Sequence, residues 1–248
     1  MKLEREVHSI LNVQRYNMDY LINELLPIKH LEGYFHTNTD TYLLASFANI
    51  KHKSRVMDLG SNNAALLLLA SIYHPKCLHG IEINSESVKL ANENLAMNHV
   101  DGIVWHQDIV GYRSQYKYDV ILCNPPYYQM IDNANAFINA RHQHQLTLAD
   151  LMETIHHLLE NKGRAYLIYP SDQLAKLIAV GNQHKLKISR LQMYQPNFNK
   201  PSNVTLVELM LGENSQTLIE PVMVYDDLMR WKEMVNRDII NAKRKEVI

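Results

Sequence analysis

The chain has 248 residues with a formal net charge of −1 at pH 7, and 46% of its residues are hydrophobic. This composition supports one substantial core, and it excludes a protein that binds nucleic acid through a strongly basic overall charge. The two cysteines, Cys77 and Cys123, lie in apolar strands without metal-ligand spacing, so we expect buried thiols in a reducing compartment rather than a disulfide or metal ligands. The longest apolar run, residues 64–72, is too short to span a membrane. We therefore expect a cytoplasmic protein without a signal peptide.

Both ends of the chain have apolar residues at helical spacing. Near the N-terminus these residues are Ile10, Val13, Met18, Leu21, Leu25 and Leu26, and near the C-terminus they are Leu228, Trp231, Val235 and Ile239. The pattern predicts an N-terminal helical extension over residues 1–30, a main domain over residues 31–225 and a C-terminal helical tail over residues 226–248. It favours helices that dock on the core.

Residues 55–69 read as a short apolar strand, a polar turn and the beginning of a helix. The turn follows Asp58 and contains Gly60, Asn62 and Asn63. A second strand over residues 77–83 contains Glu82, about 20 residues beyond the turn, which is the offset of a ribose-binding acid in a βαβ unit. These features predict a cofactor site at the carboxyl ends of parallel strands.

The next elements continue the alternation of helices and strands. Asn84 is a plausible N-cap for a helix whose Val88, Ala91 and Leu95 fall on one face. A strand over residues 103–105 then leads to Asp108. A second acidic residue is therefore expected near the same edge of the sheet.

The apolar run 118–123 predicts a buried strand that ends at the motif Asn124-Pro125-Pro126-Tyr127. Two prolines remove two backbone donors and stiffen the loop, which leaves carbonyl oxygens and one Asn side chain as acceptors. Such acceptors suit an exocyclic amino group, and Tyr127 offers a flat face for stacking. By itself the motif is equally compatible with a strand that merely ends in a proline turn.

The remainder completes a sheet. Thr147 begins a predicted helix that ends at Lys162-Gly163, and a fifth strand follows over residues 164–169. A helix from Ser171 precedes two further strands, over residues 186–194 and 204–211. This order gives seven strands.

With these motifs the chain resembles the class I S-adenosylmethionine-dependent methyltransferases of the Asn-Pro-Pro-Tyr type, over roughly residues 17 to 225. Within them it is most similar to bacterial enzymes that methylate N6 of the adenine just 3′ of the anticodon in a valine tRNA. The segment 34–47, the element Ala140-Arg141-His142 and the segment 203–208 resemble that subfamily. The resemblance implies a Rossmann-like α/β fold, with a seven-stranded mixed sheet, helices on both faces and an antiparallel last strand.

The resemblance also implies roles for individual residues. For S-adenosylmethionine, it assigns Asp58, Gly60, Asn62 and Asn63 to the methionine-side loop, Glu82 to the ribose hydroxyls and Asp108 to the adenine amino group, with Asn124 also at the cofactor. It assigns catalysis to Asn124, Pro125, Pro126 and Tyr127, and contacts with the anticodon loop of the tRNA to Asp40, Tyr127, Tyr128, Arg141 and His142. Neither a metal nor a membrane partner is implied.

The cofactor loop departs from the family pattern, because Asn62, Asn63 and Ala64 stand where glycines are usual. Glycine serves there because the turn needs positive φ and the backbone approaches the ligand closely. Asn is the residue after glycine that enters the left-handed region most readily, and Ala keeps helix and strand close. We therefore expect cofactor binding to be retained, with a degenerate, non-catalytic domain as the alternative.

The Asn-Pro-Pro-Tyr motif is also compatible with two further functions. It can orient a glutamine side-chain amide, which would make the chain a protein methyltransferase, although the chain lacks the extended N-terminal helical domain of those enzymes. The second function is that of a non-catalytic RNA-binding module. The basic patches 51–55, 185–190 and 243–245 are each better explained as solvated surface. The thirteen histidines have no accompanying ligand set at metal-site spacing, so we reject a metal site.

Overall fold

The computed structural model of the protein describes residues 16–22, 25–31, 38–125, 146–197, 199–212 and 216–246. Of the residues predicted to act in the site, Pro126, Tyr127, Tyr128, Arg141 and His142 lie outside these ranges.

One mixed sheet forms the centre of the described fold. The strands are β1 (Tyr16–Ile22), β2 (Leu25–Leu31), β3 (Arg55–Leu59), β4 (Cys77–Glu82), β5 (Gly102–His106), β6 (Tyr118–Cys123), β7 (Leu159–Pro170), β8 (Leu186–Gln195), β9 (Val204–Leu211), β10 (Leu218–Ile219) and β11 (Met223–Val224). The order in the sheet is β10-β8-β9-β7-β6-β3-β4-β5, and β11 also pairs with β8. Strands β1 and β2 form a separate antiparallel pair.

The central seven strands confirm the predicted fold class. Strands β5, β4, β3, β6 and β7 are parallel to one another, whereas β9 is antiparallel to both β7 and β8. The sheet has two more strands than predicted, because the two-residue strands β10 and β11 pair parallel with β8. Segments this short carry no periodic pattern, so their sequence alone does not indicate strands.

Helices cover both faces of the sheet. They are α1 (Thr39–Phe47), α2 (Ala65–Ser71), α3 (Ser85–Met97), α4 (Leu148–Leu158), α5 (Leu174–Gln183) and α6 (Tyr225–Glu246), with a short 3₁₀ helix over Ser171–Gln173. Helices α1, α2, α3 and α6 contribute to one hydrophobic core, and α4 and α5 contribute to the other. Strand β6 serves both, since Val120 and Leu122 face the first core while Ile121 and Cys123 face the second. Burial on both faces is the rule for parallel strands that helices cover.

The predicted N-terminal helix is wrong within the described residues, because 16–22 and 25–31 form an antiparallel hairpin. Pro27 disfavours a helix, since it lacks an amide hydrogen and its ring crowds the preceding turn. The side chains of Asn94 on α3 and of Asn98, its C-cap, form hydrogen bonds with the backbone of β2. These contacts with a distant helix stabilise the extended conformation over the helical one.

The structure has one helix terminus where it was predicted and places another elsewhere. The amide oxygen of Asn84 accepts hydrogen bonds from the backbone amides of Glu86 and Ser87, so it caps α3 as predicted. Helix α4 begins with the predicted capping box at Thr147, but it ends at Leu158 rather than at Gly163. Gly163 lies inside β7, where an added Cβ would stand 2.9 Å from the carbonyl oxygen of Tyr118. Its role is close packing of strands, not helix termination.

Candidate active site

The candidate site lies where four parallel strands end at one edge of the sheet. The strand register places Leu59 of β3 beside both Ile81 of β4 and Cys123 of β6. Glu82 and Asn124 directly follow two of these residues. Glu82 in turn pairs with His106 at the end of β5. This is the edge at which open α/β sheets bind their ligands.

The turn between β3 and α2, residues 60–64, is here called the cofactor loop. The backbone amides of Gly60 and Ser61 both donate to the carbonyl oxygen of Ile81, each at 3.0 Å. The amide of Asn62 donates to Oε2 of Glu82 at 2.9 Å. The end of β4 therefore fixes the path of the loop.

Three residues of the cofactor loop have positive φ: Gly60 at 82°, Asn62 at 46° and Ala64 at 66°. The Asn at position 62 thus adopts the left-handed conformation that its residue type predicts. Ala64 is unexpected in this region, where an L-residue pays about 1 to 2 kcal/mol. It is completely buried and begins α2 without a side-chain cap. Contacts elsewhere must offset this strain.

Gly80 shows how closely the cofactor loop approaches β4. An added Cβ at this position would stand 2.2 Å from Oγ of Ser61 and 3.1 Å from Cδ1 of Leu67. The glycine is therefore required by close packing rather than by its backbone angles. Neither Gly80 nor Ser61 is predicted from the sequence to belong to the site, although a glycine inside a predicted strand signals such an approach.

Asp58 is almost fully buried at the end of β3, with 1% of its surface exposed. Neither carboxylate oxygen has a hydrogen-bond partner within the described part of the chain. Burial raises the pKa of Asp58 to about 7, and the charge of Glu82 adds to the increase, while the nearby Ser61 hydroxyl lowers the pKa. That hydroxyl is directed at the backbone carbonyl of Asp58, at 3.2 Å. A buried acid with free acceptors fits a cationic group of a ligand.

Glu82 is held from two sides by backbone donors. Its Oε2 accepts from the amide of Asn62, and its Oε1 accepts from the amide of Asn84, both at 2.9 Å. Each carboxylate oxygen has a second lone pair, so both can still accept from hydroxyl groups. The side chain is thus oriented before a ligand binds, which fits its predicted role at the ribose.

Asp108 lies just beyond β5, partly buried. Its Oδ1 accepts from the amide of Val110 at 2.9 Å, and the amide of the preceding Gln107 donates to the carbonyl oxygen of Glu82 at 3.0 Å. The two predicted cofactor acids, Glu82 and Asp108, are therefore close in the structure.

Asn124 and Pro125 follow β6, with Asn124 partly exposed and Pro125 buried. The Asn124 amide makes no hydrogen bond to any residue in the described ranges. For Cys123, the preceding residue, burial and the charge of Asp58 raise the pKa of the thiol well above its usual value. Cys123 is therefore a packed thiol, as the sequence predicts, and a polar acceptor stands at the surface of the strand end.

Asp40 lies in the first turn of α1, which Asn38 caps. It is close to Tyr194, whose pKa is raised by burial and by the nearby Tyr225 and Asp40. Tyr194 is near the carboxyl end of β8, which is parallel to β7. Asp40 is thus at the same edge of the sheet as Asn124.

Two negative findings concern the described residues only. No group of three or more His, Cys, Asp or Glu side chains there is placed so that it could hold a metal ion. No helix in these ranges is both long and apolar enough to cross a membrane.

The fold is that of the class I methyltransferases, which use S-adenosylmethionine as methyl donor. More specifically, the chain belongs to the methyltransferase small domain family, whose family model matches residues 28–176. The resemblance found in the sequence is thereby confirmed.

Relatives and solved structures agree with this family. The chain is 27% identical over 195 residues to the tRNA1(Val) (adenine(37)-N6)-methyltransferase of Vibrio vulnificus strain YJ016, covering 77% of this chain and 81% of that protein. It is 29% identical over 181 residues to the protein of the same name from Parabacteroides distasonis, covering 69% and 75%.

Two solved structures share the fold. The T. thermophilus 16S rRNA N2 G1207 methyltransferase, in complex with AdoMet and guanosine, has a TM-score of 0.58 at 16% identity and covers 81% of this chain and 51% of that one. The ribosomal protein L11 methylase of Lactobacillus delbrueckii subsp. bulgaricus has a TM-score of 0.55 at 16% identity and covers 72% and 81%.

Proposed function

We propose that this protein transfers the methyl group of S-adenosylmethionine to N6 of an adenine in tRNA, the adenine 3′ of the anticodon in a valine tRNA. The observation that carries the proposal is the amide of Asn124, which stands at the end of β6 beside the strand that carries the cofactor loop. The names of the relatives from Vibrio vulnificus and Parabacteroides distasonis support the choice of acceptor.

The residues at the strand ends suit the cofactor. Asp58 and the cofactor loop would hold its methionine end, Glu82 its ribose hydroxyls and Asp108 its adenine amino group. The unpartnered, buried carboxylate of Asp58 is the feature that best fits the positively charged methionine portion. When bound, the cofactor supplies an activated methyl group on a sulfonium, so the protein has mainly to align the acceptor.

The acceptor is oriented by Asn124 and Pro125. The Asn124 side-chain oxygen and the carbonyl oxygen of Pro125 would each accept one hydrogen of the N6 amino group, which points the nitrogen at the methyl group. The proton leaves after the nitrogen has become cationic, so no strong general base is needed. Pro126, the next residue in the chain, would stiffen the loop.

The target base must leave its stack, at a cost of about a few kcal/mol that is smaller in a single-stranded loop. Tyr127 would stack on the extruded base and offset part of this cost. We propose Tyr128, Asp40, Arg141 and His142 as further contacts with the anticodon loop.

Two arginines of the basic patches are poor candidates for RNA contacts. Arg55 donates to the carboxylates of Asp119 and Glu160, and it begins β3, at the edge opposite the site. Arg190 forms an ion pair with Glu208 and lies 3.8 Å above the ring of Phe47. Both side chains are engaged within the fold, which favours the segment around Arg141 for phosphate binding. A tRNA substrate also implies action in the cytoplasm.

The test is mass analysis of nucleosides from valine tRNA that has been incubated with the protein and labelled S-adenosylmethionine. We expect N6-methyladenosine, and we expect none when the adenine 3′ of the anticodon is replaced by guanine. Label at another nucleoside would show that the acceptor differs from the one proposed. Label in protein glutamine would keep the role of Asn124 but overturn the substrate, and cofactor binding without any product would favour a non-catalytic module.

A further inference from the structure

The N-terminal hairpin contacts the cofactor loop through side chains that no sequence motif singles out. Strand β2 lies against α3, and His30 of β2 and Asn94 of α3 both reach residue 63 of the loop. The hairpin and the helix thus meet at the segment in which Asn and Ala replace the usual glycines.

Asn94 links three elements with one amide group. Its Oδ1 accepts from the backbone amide of Lys29 at 2.8 Å. Its Nδ2 donates to the carbonyl oxygen of Lys29 at 3.1 Å and to that of Asn63 at 3.0 Å. The side chain is completely buried, so these hydrogen bonds have no competition from water.

Asn63 is fixed through its side chain as well. Its Nδ2 lies 3.1 Å from Nδ1 of His30, and only 4% of Asn63 and 1% of His30 are exposed. Asn94 therefore holds the main chain of residue 63, while His30 holds its side chain. Both are anchored in segments outside the β3–α2 unit to which the loop belongs.

The residues on either side of Asn63 are those with unfavourable backbone angles. Asn62 has φ of 46° and Ala64 has φ of 66°, whereas Asn63 between them is not in the positive-φ region. A loop of this kind needs external hydrogen bonds to stay in its left-handed turn, because L-residues disfavour that conformation.

We infer that Asn94 and His30 are positioning residues for the methyl donor: they hold the cofactor loop in its binding conformation and take over the role of the missing glycines. The inference rests on the cofactor of the proposed function and not on its RNA acceptor. Asn63 itself then acts chiefly as the loop residue to which Asn94 and His30 are hydrogen-bonded.

Asn98, the C-cap of α3, provides a matched control. Its Nδ2 donates to the carbonyl oxygen of Pro27 at 2.7 Å and to that of Asn94 at 2.8 Å, so it also ties the hairpin to the helix. Neither of these hydrogen bonds involves the cofactor loop. Loss of the Asn98 side chain should therefore loosen the hairpin without releasing the loop.

The experiment measures binding of S-adenosylhomocysteine by calorimetry and amide hydrogen exchange of residues 61–64 without ligand. For Asn94→Asp we expect a Kd about tenfold higher and faster exchange in the loop, because a carboxylate replaces the donor to Asn63. For His30→Phe, which removes the hydrogen bond to the Asn63 side chain, we expect about a threefold increase. For Asn98→Ala we expect a Kd within about twofold of wild type.

A rescue variant tests the strain directly. Ala64→Gly in the Asn94→Asp background should recover at least about threefold in Kd, because glycine adopts positive φ without a penalty. An unchanged Kd in Asn94→Asp, an equal increase in Asn98→Ala, or no recovery with Ala64→Gly would overturn the inference. If Asn94→Asp does not fold, His30→Phe serves as the test instead. An unchanged Kd and an unchanged exchange rate in His30→Phe would then overturn the inference.

The readout also separates this inference from the proposed function. A wild-type protein that binds S-adenosylhomocysteine but methylates no tRNA overturns the proposed tRNA acceptor. The comparison of Kd among the variants then still decides whether Asn94 and His30 hold the cofactor loop. A wild-type protein that does not bind the ligand overturns both.

Discussion

The cofactor loop after β3 and Asn124 after β6 differ in how far the described residues satisfy their polar groups. The cofactor loop is tied by hydrogen bonds to β4, to Glu82, to Asn94 and to His30. By contrast, the side chain of Asn124 makes no hydrogen bond to another described residue. In the proposed function, the methyl donor thus meets a preorganised site, whereas Asn124 keeps its hydrogen-bonding capacity for the substrate.

This difference has a chemical reason. Preorganised groups bind a cofactor without an additional cost of ordering, which favours affinity. A group that must orient a nucleophile is most effective when its interaction is realised with the reacting atoms. Mutations in the two loops should therefore separate binding from turnover.

The largest effect is expected for Asn124→Ala. Because its interaction is made with the nucleophile, we expect single-turnover methylation to fall by about 10²- to 10³-fold, with the affinity for S-adenosylmethionine nearly unchanged. Rapid-quench methylation of valine tRNA measures the first quantity and calorimetry the second. Wild-type rates in Asn124→Ala would refute the role of this residue.

Glu82→Ala should act on binding instead. Loss of charge-assisted hydrogen bonds should weaken the affinity for S-adenosylmethionine by about 1.5 to 3 kcal/mol. Glu82→Gln is the control, since it keeps one carbonyl oxygen as an acceptor and should lose less. Calorimetry checks both variants, and equal affinity in wild type and Glu82→Ala would contradict the ribose assignment.

A smaller, pH-dependent effect is expected from Asp58. Its folded-state pKa of about 7 exceeds its ordinary value, so between about pH 4 and 7 the folded protein binds more protons than the unfolded chain. The contribution of Asp58 to stability therefore declines as pH rises through this window and is constant above it. Binding of the cationic cofactor favours the ionised carboxylate, so affinity should rise with pH by at most about tenfold per unit up to pH 7.

The matched variant for this effect is Asp58→Asn, which keeps the shape without the charge. Denaturant titrations at pH 5 and pH 8 should show the decline in stability in wild type and a flatter dependence in the variant. Calorimetry over the same range should show a correspondingly flat affinity for Asp58→Asn. An equal pH dependence in both proteins would assign the titration to another group.

The smallest effect is expected for Asn62→Gly. Asn62 adopts positive φ, and glycine adopts this conformation more readily than Asn does. The backbone amide that donates to Glu82 is retained in the variant. We expect the affinity for S-adenosylmethionine to be unchanged or improved by at most about 1 kcal/mol. A large loss in calorimetry would show that the Asn62 side chain itself contacts the cofactor.

Local patterns were sufficient for the central sheet and for the order of the site residues. Apolar runs such as 55–59 and 118–123 predicted buried strands, and the polar residues that follow them necessarily lie at strand ends. Asn62 was likewise a residue able to accept the left-handed angle that the turn requires. These inferences depend on neighbours in the chain, whose conformational preferences are encoded in a short segment.

Helical spacing near the N-terminus misled because it describes one segment in isolation. The hydrogen bond from the Lys29 amide to Asn94 spans 65 positions in the sequence, and no local pattern in residues 16–31 reports it. The same limit applies to Gly163, which suits a helix end by composition but lies in β7 because two strands pack closely there.

The sequence by itself determined the fold class, the reaction class and the positions of Asp58, Glu82 and Asn124 at strand ends. Only the tertiary structure decided that residues 16–22 and 25–31 pair as antiparallel strands, that Asp58 is buried without a partner among the described residues, and that Asn94 reaches the cofactor loop. The physical reason is that periodicity and turn preference are local, whereas burial, pKa and hydrogen bonds between distant segments arise when the chain packs.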